Sequence, residues 1–349
     1  MDRPGDSGAT GATGAIDGGI TAQVSAIRRA WAAGEPVVVE TSGTTGRPRR
    51  VEHAPASVEA SCRAVSRALA VDPGRDHWLA CIPLRYVAGR AVVLRGEVTS
   101  TPVTVHDGFA IDRVGDAAGT CTLVSLVATQ LVRLLDAGAP IHRFRVVLLG
   151  GGPVPTGLVA RAAAAGVAVH TTYGLTETFG GCVHDGHPLD GVSIRLAPDS
   201  GEVLVRGPVL MRGYVDDPDA THAAFTDDGW FRTGDVGRFA ADGRLEIVDR
   251  LKDLVITGAV NVSPTAVERV VSTHPAFADV CVIGVPDPEW GERVVCCAVL
   301  APGAAAPSID ALRDFARDRL APAELPKELR IVAAVPRTPG GKPLRRELR

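Results

Sequence analysis

The sequence predicts an α/β protein with a large N-terminal domain and a small α+β domain at its C-terminal end, and three observations carry that expectation. Its 349 residues exceed what one hydrophobic core ordinarily serves. Short β-branched runs alternate with helix-like stretches through the first half, the pattern of a mostly parallel sheet covered by helices on both faces. After about residue 189 the runs shorten and Gly- or Asp-bearing turns separate them, as in antiparallel hairpins, and from about residue 251 helix and strand signals mix.

Residues 1–19 are rich in Gly, Ala, Thr and Asp and carry almost no apolar bulk, so they read as a disordered lead-in. Helix-like stretches follow at 20–33, 57–70, 129–137 and 156–165, between β-branched runs at 37–41, 103–106, 123–126, 146–149 and 167–172. Runs at 193–196, 202–205, 237–239 and 245–248 make the antiparallel section, which closes a main domain over 20–250. In the remaining 251–349, Ser263-Pro264 has the form of a helix cap followed by proline in the first turn, opening a helix over 264–272. Strands at 279–285, 294–300 and 329–332 and a helix at 309–320 complete the small domain.

Composition narrows the function. Basic and acidic residues nearly balance, 37 against 40, which gives no uniform field for nucleic acid or an anionic membrane. No apolar run approaches a bilayer span and the start lacks a basic-then-apolar leader, so neither a membrane-spanning nor a secreted protein is expected. The seven cysteines are scattered and form no C-x-x-C pair, which fits a reducing cytoplasm better than a disulfide framework or zinc ribbon. Cys182-Val183-His184 with His187 lacks a second ligand pair for zinc, and His53, His170 and the other histidines read as structural.

The chemistry is concentrated in four segments. TSGTTGRPR at 41–49 follows a predicted strand, and its glycines permit close backbone approach to an anion while hydroxyls and amides donate hydrogen bonds. That suits a polyphosphate, although G-x-x-x-x-G-K-[ST] cannot be laid on it, so it is no Walker A loop. Gly150-Gly151-Gly152-Pro153 sits where open α/β sheets place ligands, at the carboxyl end of a strand. TTYGLTET at 171–178 follows the next strand and combines an aromatic face, hydroxyls and one carboxylate, suited to a base, a phosphate and a magnesium ion. WFRTGD at 230–235 ends on a carboxylate able to accept both hydroxyls of a ribose.

In this order the segments resemble the acyl-adenylate-forming superfamily of acyl-CoA ligases, adenylation domains and luciferases. The likeness runs from about residue 37 to 349 and includes DRLKDLVITG at 249–258 and PRTPGGKPLRR at 336–346. LLGGGPVP, TTYGLTETFGGCVHDGHPLDGV and VITGAVNVSPTAVE make it most similar to the bacterial 2-succinylbenzoate–CoA ligases of the menaquinone pathway. The resemblance implies the adenylate-forming ligase fold, with a mobile C-terminal lid, and an enzyme using ATP, Mg2+ and coenzyme A. That enzyme joins its acid to AMP and then to CoA. A CoA ligase or stand-alone adenylating enzyme for another aryl or keto acid is the alternative, ahead of an inactive nucleotide-binding relative.

Roles carried over from the resemblance fall on named positions. Thr41, Ser42, Gly43, Thr44, Thr45 and Gly46 hold the ATP phosphates, and Gly151 and Gly152 with Thr172 and Tyr173 take the nucleotide base. Thr176 meets the α-phosphate, Glu177 the magnesium, and Asp235 with Arg250 the ribose. Lys252 is the hinge residue, and Lys342, beside Gly340-Gly341, is the catalytic lysine of adenylation. Only three of the 37 basic residues are lysines, and these are two of them. Arg95, which ends the apolar stretch 91–94, reads either as an arginine snorkelling from a buried helix to water or, as the resemblance implies, as the grip on a second carboxylate of the acid, with Gly180, Gly181 and Cys182 leaving room for an aromatic ring. The chain departs from its relatives at Arg49 (usually lysine), Arg85 (often histidine or an aromatic) and Asp249 (usually glycine).

Overall fold

A computed structural model describes residues 14–41, 48–337 and 343–349, with side chains from residue 19. These residues divide into two compact units, one holding the chain through Val192 together with Gly207–Thr221, the other Ser193–Arg206 together with the chain from His222 onward.

The first unit is organised by a seven-stranded sheet in the order Val103–Val105, Trp78–Ala80, Leu123–Val127, Val146–Gly150, Val169–Leu175, Gly180–His184, His187–Pro188. Strands as far as Val169–Leu175 run parallel, and the last two return antiparallel. The sequences LVSLV and VVLLG are buried along four of five positions, as strands covered on both faces should be. Leu79, Val124, Val147 and Leu149 pack there against Leu131 and Leu134 of the Ala128–Asp136 helix. On the other side, Val58 and Cys62 of the Pro55–Ala68 helix meet Ala91 and Leu94 of the Val87–Thr99 helix, together with Phe179. The first helix spans Gly14–Ala32, starting ahead of the predicted stretch.

One expectation is overturned. The run at 37–41 was expected in the parallel sheet, but Val37–Glu40 pairs antiparallel with Arg50–His53, and Gly213–Tyr214 completes a separate three-stranded sheet. The reason is length: parallel neighbours need a crossover of about a dozen residues or more, whereas TSGTTGRPR returns the chain at once. Trp78–Ala80, only three residues long, gives no periodicity to read and escaped the sequence analysis.

The second unit contains a four-stranded antiparallel sheet in the order Ser193–Leu196, Glu202–Arg206, Phe231–Phe239, Leu245–Arg250. Its other sheet has Val260–Val262, Val255–Thr257, Gly291–Leu300 and Phe277–Asp287 in order, with Glu328–Ile331 parallel to Gly291–Leu300. Helices Pro264–Val271 and Ile309–Ala316 bury Val267, Val271, Leu312 and Ala316 against it. The predicted cap is present: Ser263 Oγ accepts from the Ala266 amide, and proline follows in the first turn. FRTGD of the WFRTGD segment opens the Phe231–Phe239 strand, where alternation buries Phe231, Thr233 and Asp235. All seven cysteines are free and buried, and no described helix is long and apolar enough to cross a membrane.

Candidate active site

The hydroxyl–glycine loop is tied at its neck. Thr41 N donates to Arg49 O at 2.8 Å, and Arg49 N donates to Thr41 Oγ1 at 2.9 Å. These bonds continue the antiparallel ladder of Val37–Glu40 and Arg50–His53, so the segment between them leaves from a fixed base. Thr41 stands at that base. Ser42, Gly43, Thr44, Thr45 and Gly46 lie outside the described residues.

The second strand of this hairpin reaches the TTYGLTET segment. His53 Nε2 meets the Thr176 carbonyl at 2.8 Å, and the ring packs edge-on to Phe179 with centroids 5.2 Å apart. Burial pulls the His53 pKa down to about 4, the carbonyl contact offsetting part of that shift, so a neutral ring donates Nε2–H. Thr176–Thr178 forms a tight 3₁₀ turn closed by Phe179 in the left-handed region at φ 52°. A non-glycine residue held there costs about 1–3 kcal/mol, and the fully buried ring is the anchor that holds it. Just before the turn, a Cβ on Gly174 would lie 1.9 Å from the Gly180 carbonyl, so only glycine lets the chain cross itself.

Glu177, which follows Thr176 in this turn, is fixed from a third direction. Its carbonyl accepts from the Met211 amide at 2.8 Å, and its Oε1 accepts from Tyr214 Oη at 2.8 Å. The Arg49 guanidinium lies 4.9 Å from the centre of the Tyr214 ring. Burial first, then the Glu177 charge, raises the Tyr214 pKa and keeps the phenol a proton donor. The flank of the loop and the TET turn are thus coupled through one tyrosine. A single carboxylate beside hydroxyls fits magnesium, which prefers few protein ligands together with water and phosphate oxygens.

Gly151 and Gly152 form an exposed turn beyond Val146–Gly150, at the carboxyl end of the parallel sheet. The neighbouring strand carries Thr172 and Tyr173 past the same edge, with Leu149 and Thr171 in register. The Thr172 hydroxyl itself is buried and turned toward Gly181, where an added Cβ would stand 2.0 Å from it.

Arg95 is buried, with 4% of its surface exposed, on the Val87–Thr99 helix. Its guanidinium lies 5.5 Å from the centre of the Trp78 ring, and Nε has no hydrogen-bond acceptor. Among the described residues no carboxylate pairs with it; burial lowers its pKa and the only opposing influence is Cys62. Arginine stays charged in proteins, so this is an uncompensated buried cation. A Cβ placed on Gly180 would be 3.9 Å from Arg95 Nη2, which puts the charge against the small residues Gly180 and Gly181, with Cys182 buried beside them. Arg85, by contrast, is exposed and donates to its neighbour Tyr86 Oη at 3.0 Å.

Asp235 and Arg250 belong to the second unit, opposite each other on paired strands, and Arg250 Nε meets Asp235 Oδ1 at 2.6 Å. Gly234 N donates to Glu202 Oε1 at 3.0 Å, so the carboxylate of Glu202 fixes the backbone ahead of Asp235. Lys252 occupies a single 3₁₀ turn, Leu251–Asp253, and is exposed. Lys342 lies outside the described residues. Sequence reasoning missed Tyr214 and the contact of His53; the available signal for the first was scarcity, since the chain has three tyrosines.

A mostly parallel α/β sheet whose TYGLTE turn is met by a separate hydroxyl–glycine hairpin, through His53 and Tyr214, defines an enzyme that binds adenine nucleotide. The chain belongs to the AMP-binding enzyme family: residues 37–215 match that family, and residues 266–342 match the AMP-binding enzyme C-terminal domain. It is 38% identical over 323 residues to the probable 2-succinylbenzoate–CoA ligase of Mycobacterium tuberculosis, spanning 88% of this chain and 82% of the relative. It is also similar to o-succinylbenzoate CoA synthetase (MenE) from Bacillus subtilis in complex with the acyl-adenylate intermediate OSB-AMP. That similarity has a TM-score of 0.81 at 30% identity, over 89% of this chain and 68% of that one. The same synthetase in complex with ATP and magnesium ion gives a TM-score of 0.79 at 30% identity, over 89% and 69%.

Proposed function

We propose that the protein is an AMP-forming acid–thiol ligase that activates 2-succinylbenzoate with ATP and passes the acyl group to coenzyme A, a step of menaquinone biosynthesis. A carboxylate resists attack by a thiolate because of its own charge. Attack of the carboxylate oxygen on the α-phosphorus of ATP expels pyrophosphate and leaves a mixed anhydride. The CoA sulfur then attacks the acyl carbon, and AMP departs with the electron pair of the broken C–O bond. Residues 20–250 bind ATP and acid in this reading, and 251–349 form a lid turning about Lys252 between the two half-reactions.

Thr41, Ser42, Gly43, Thr44, Thr45 and Gly46 hold the phosphates, Gly151, Gly152 and Tyr173 frame the base, and Asp235 with Arg250 takes the ribose. Thr176 donates to the α-phosphate and Lys342 brings an ammonium to the same oxygens. Magnesium, held by Glu177, would neutralise phosphate charge while the acid approaches. The ligands are small molecules, and the free, buried cysteines suit a reducing cytoplasm.

The observation that carries the identity of the acid is Arg95. A buried guanidinium with no counter-charge among the described residues is tolerated where a ligand supplies the anion, and the benzoate carboxylate of 2-succinylbenzoate is such a group once its succinyl carboxylate is activated. The test is thioester formation from 2-succinylbenzoate, ATP and CoA, followed by mass. Omitting any one reactant should abolish the product. Absence of product with all three present, while another aryl or keto acid supports pyrophosphate exchange, overturns the choice of acid.

A further inference from the structure

Thr172 and His184 face each other on the paired strands Val169–Leu175 and Gly180–His184. Directly opposed residues of an antiparallel pair put their Cβ atoms on one face about 5 Å apart. The register then slips: Tyr173 pairs with Val183 and Gly174 with Gly181, leaving Cys182 as the extra residue of a β-bulge. The bulge turns Gly181 onto the face of Thr172 and His184, and a Cβ there would lie 2.0 Å from Thr172 Oγ1 and 3.2 Å from His184 Nε2.

Among the described residues, none of these polar atoms has a hydrogen-bond partner. Thr172 Oγ1 and both ring nitrogens of His184 are buried and unbonded, as is Arg95 Nε nearby. His184 is 6% exposed. Native proteins leave few such groups, so several around one pair of glycines mark a place where something else supplies the hydrogen bonds. Burial, then the neighbouring Arg95 charge, lowers the pKa of His184 to about 4, so the ring is neutral at physiological pH and carries one N–H and one lone pair.

The arrangement is graded: charge lies against Gly180 and neutral donors against Gly181, one residue on. 2-Succinylbenzoate has the matching grading, a carboxylate and a ketone on adjacent ring carbons. We propose that His184 and Thr172 are the specificity-determining pair of the acid site, donating hydrogen bonds to the ketone oxygen of the acid whose aromatic carboxylate Arg95 holds. This rests on the acid proposed above. It moves the Thr172 hydroxyl from the nucleotide to the acid, and it explains Gly181, since a Cβ there would strike that hydroxyl at 2.0 Å and displace it.

The test compares acyl-AMP formation, read as pyrophosphate release with ATP and magnesium, from 2-succinylbenzoate and from the analogue carrying CH2 in place of the ketone. The native protein should prefer the keto acid by about 10- to 100-fold in kcat/KM. His184→Phe, close in shape but with no donor, should bring the two acids within about threefold, and Thr172→Val should lower the ratio in the same direction. His184→Gln, which keeps an N–H, should preserve most of the preference. Thermal unfolding checks that each variant is folded, and the native preference alone decides if His184→Phe is not. A native protein indifferent to the ketone, or a His184→Phe variant with the native ratio, overturns the proposal while the acid assignment stands. If the native protein adenylates neither acid, the acid assignment falls and takes this proposal with it.

Discussion

Tyr214, on the three-stranded sheet, donates its phenolic proton across 2.8 Å to Glu177 Oε1, in a 3₁₀ turn 37 positions back along the chain. The bond aims a carboxylate whose expected partner is magnesium, and the Arg49 guanidinium on the tyrosine ring links that aim to the neck of the hydroxyl–glycine hairpin. Hydrogen bonds to charged groups are worth about 1.5–3 kcal/mol.

Tyr214→Phe keeps the ring under Arg49 and removes only the donor. Part of that energy should appear as lost orientation of Glu177, raising the magnesium concentration for half-maximal adenylation by roughly 5- to 10-fold. The KM for the acid should not change. A magnesium titration of pyrophosphate release decides it, and a curve superposing on the native one would show that Tyr214 is only packing.

His53 gives the fold a pH dependence of definite sign. Its pKa falls from 6.5 to about 4 on folding, so the native protein refuses a proton that the unfolded chain accepts. The stability this provides is complete above about pH 6.5 and is lost as pH falls toward 4, by up to about 1.4 kcal/mol per pH unit. Urea unfolding at pH 7 and pH 4.5 should show the native protein losing about 2–3 kcal/mol more than His53→Gln over that interval. Equal losses would mean that His53 does not titrate with folding.

Part of TTYGLTET was legible from local chemistry, since Gly174 is glycine where the chain crosses itself at the Gly180 carbonyl. The strand at 193–196 was likewise read to the residue, since alternation and a turn at each end fix it. The coupling of TTYGLTET to its neighbours was not legible. His53 reaches Thr176 across 123 positions, and Tyr214 reaches Glu177 from a two-residue strand, so neither has a periodic or compositional trace. The polar lining near Gly181 depends on a bulge at Cys182, and one slipped residue in a strand leaves no mark in hydropathy.

Arg95 poses function against stability. Replacing an unpaired buried charge by an apolar side chain of similar length relieves its desolvation, so Arg95→Met should stabilise the ligand-free protein by about 1–3 kcal/mol. The same change should raise the KM for the acid by about 100-fold, within the roughly 2–5 kcal/mol typical of losing one member of a buried charge pair. Calorimetry without ligand and initial rates over an acid titration measure the two effects. A destabilised variant with native acid affinity would make Arg95 a structural residue.

In the role proposed for it, Lys342 meets charge that develops at the α-phosphate, so Lys342→Ala should slow acyl-AMP formation by about 100- to 1000-fold, roughly 3–4 kcal/mol. Conversion of supplied acyl-AMP and CoA to thioester should proceed at close to the native rate. Single-turnover assays of each half-reaction separate the two, and undiminished adenylation would remove Lys342 from that role.

Asp249 spans the proposed hinge. Its Oδ2 accepts from Ser263 Oγ at 2.7 Å and from the Thr265 amide at 2.8 Å, while Oδ1 accepts from the Arg250 amide at 2.8 Å. The first two bonds place a carboxylate at the N-terminus of the Pro264–Val271 helix, where unpaired amides and the helix dipole favour negative charge. They also join the end of Leu245–Arg250 to the helix beyond Lys252, so any rotation about that lysine must keep or break them. Asp249→Gly removes the carboxylate and adds backbone freedom, and the loss of such a cap should cost about 1–2 kcal/mol. Hydrogen exchange locates that cost: the Thr265 amide should exchange roughly 10-fold faster or more in the variant, and amides of the Leu123–Val127 strand should be unaffected. Native protection of Thr265 in Asp249→Gly would mean that the helix start is held by Ser263 alone and that Asp249 places no tie across the hinge.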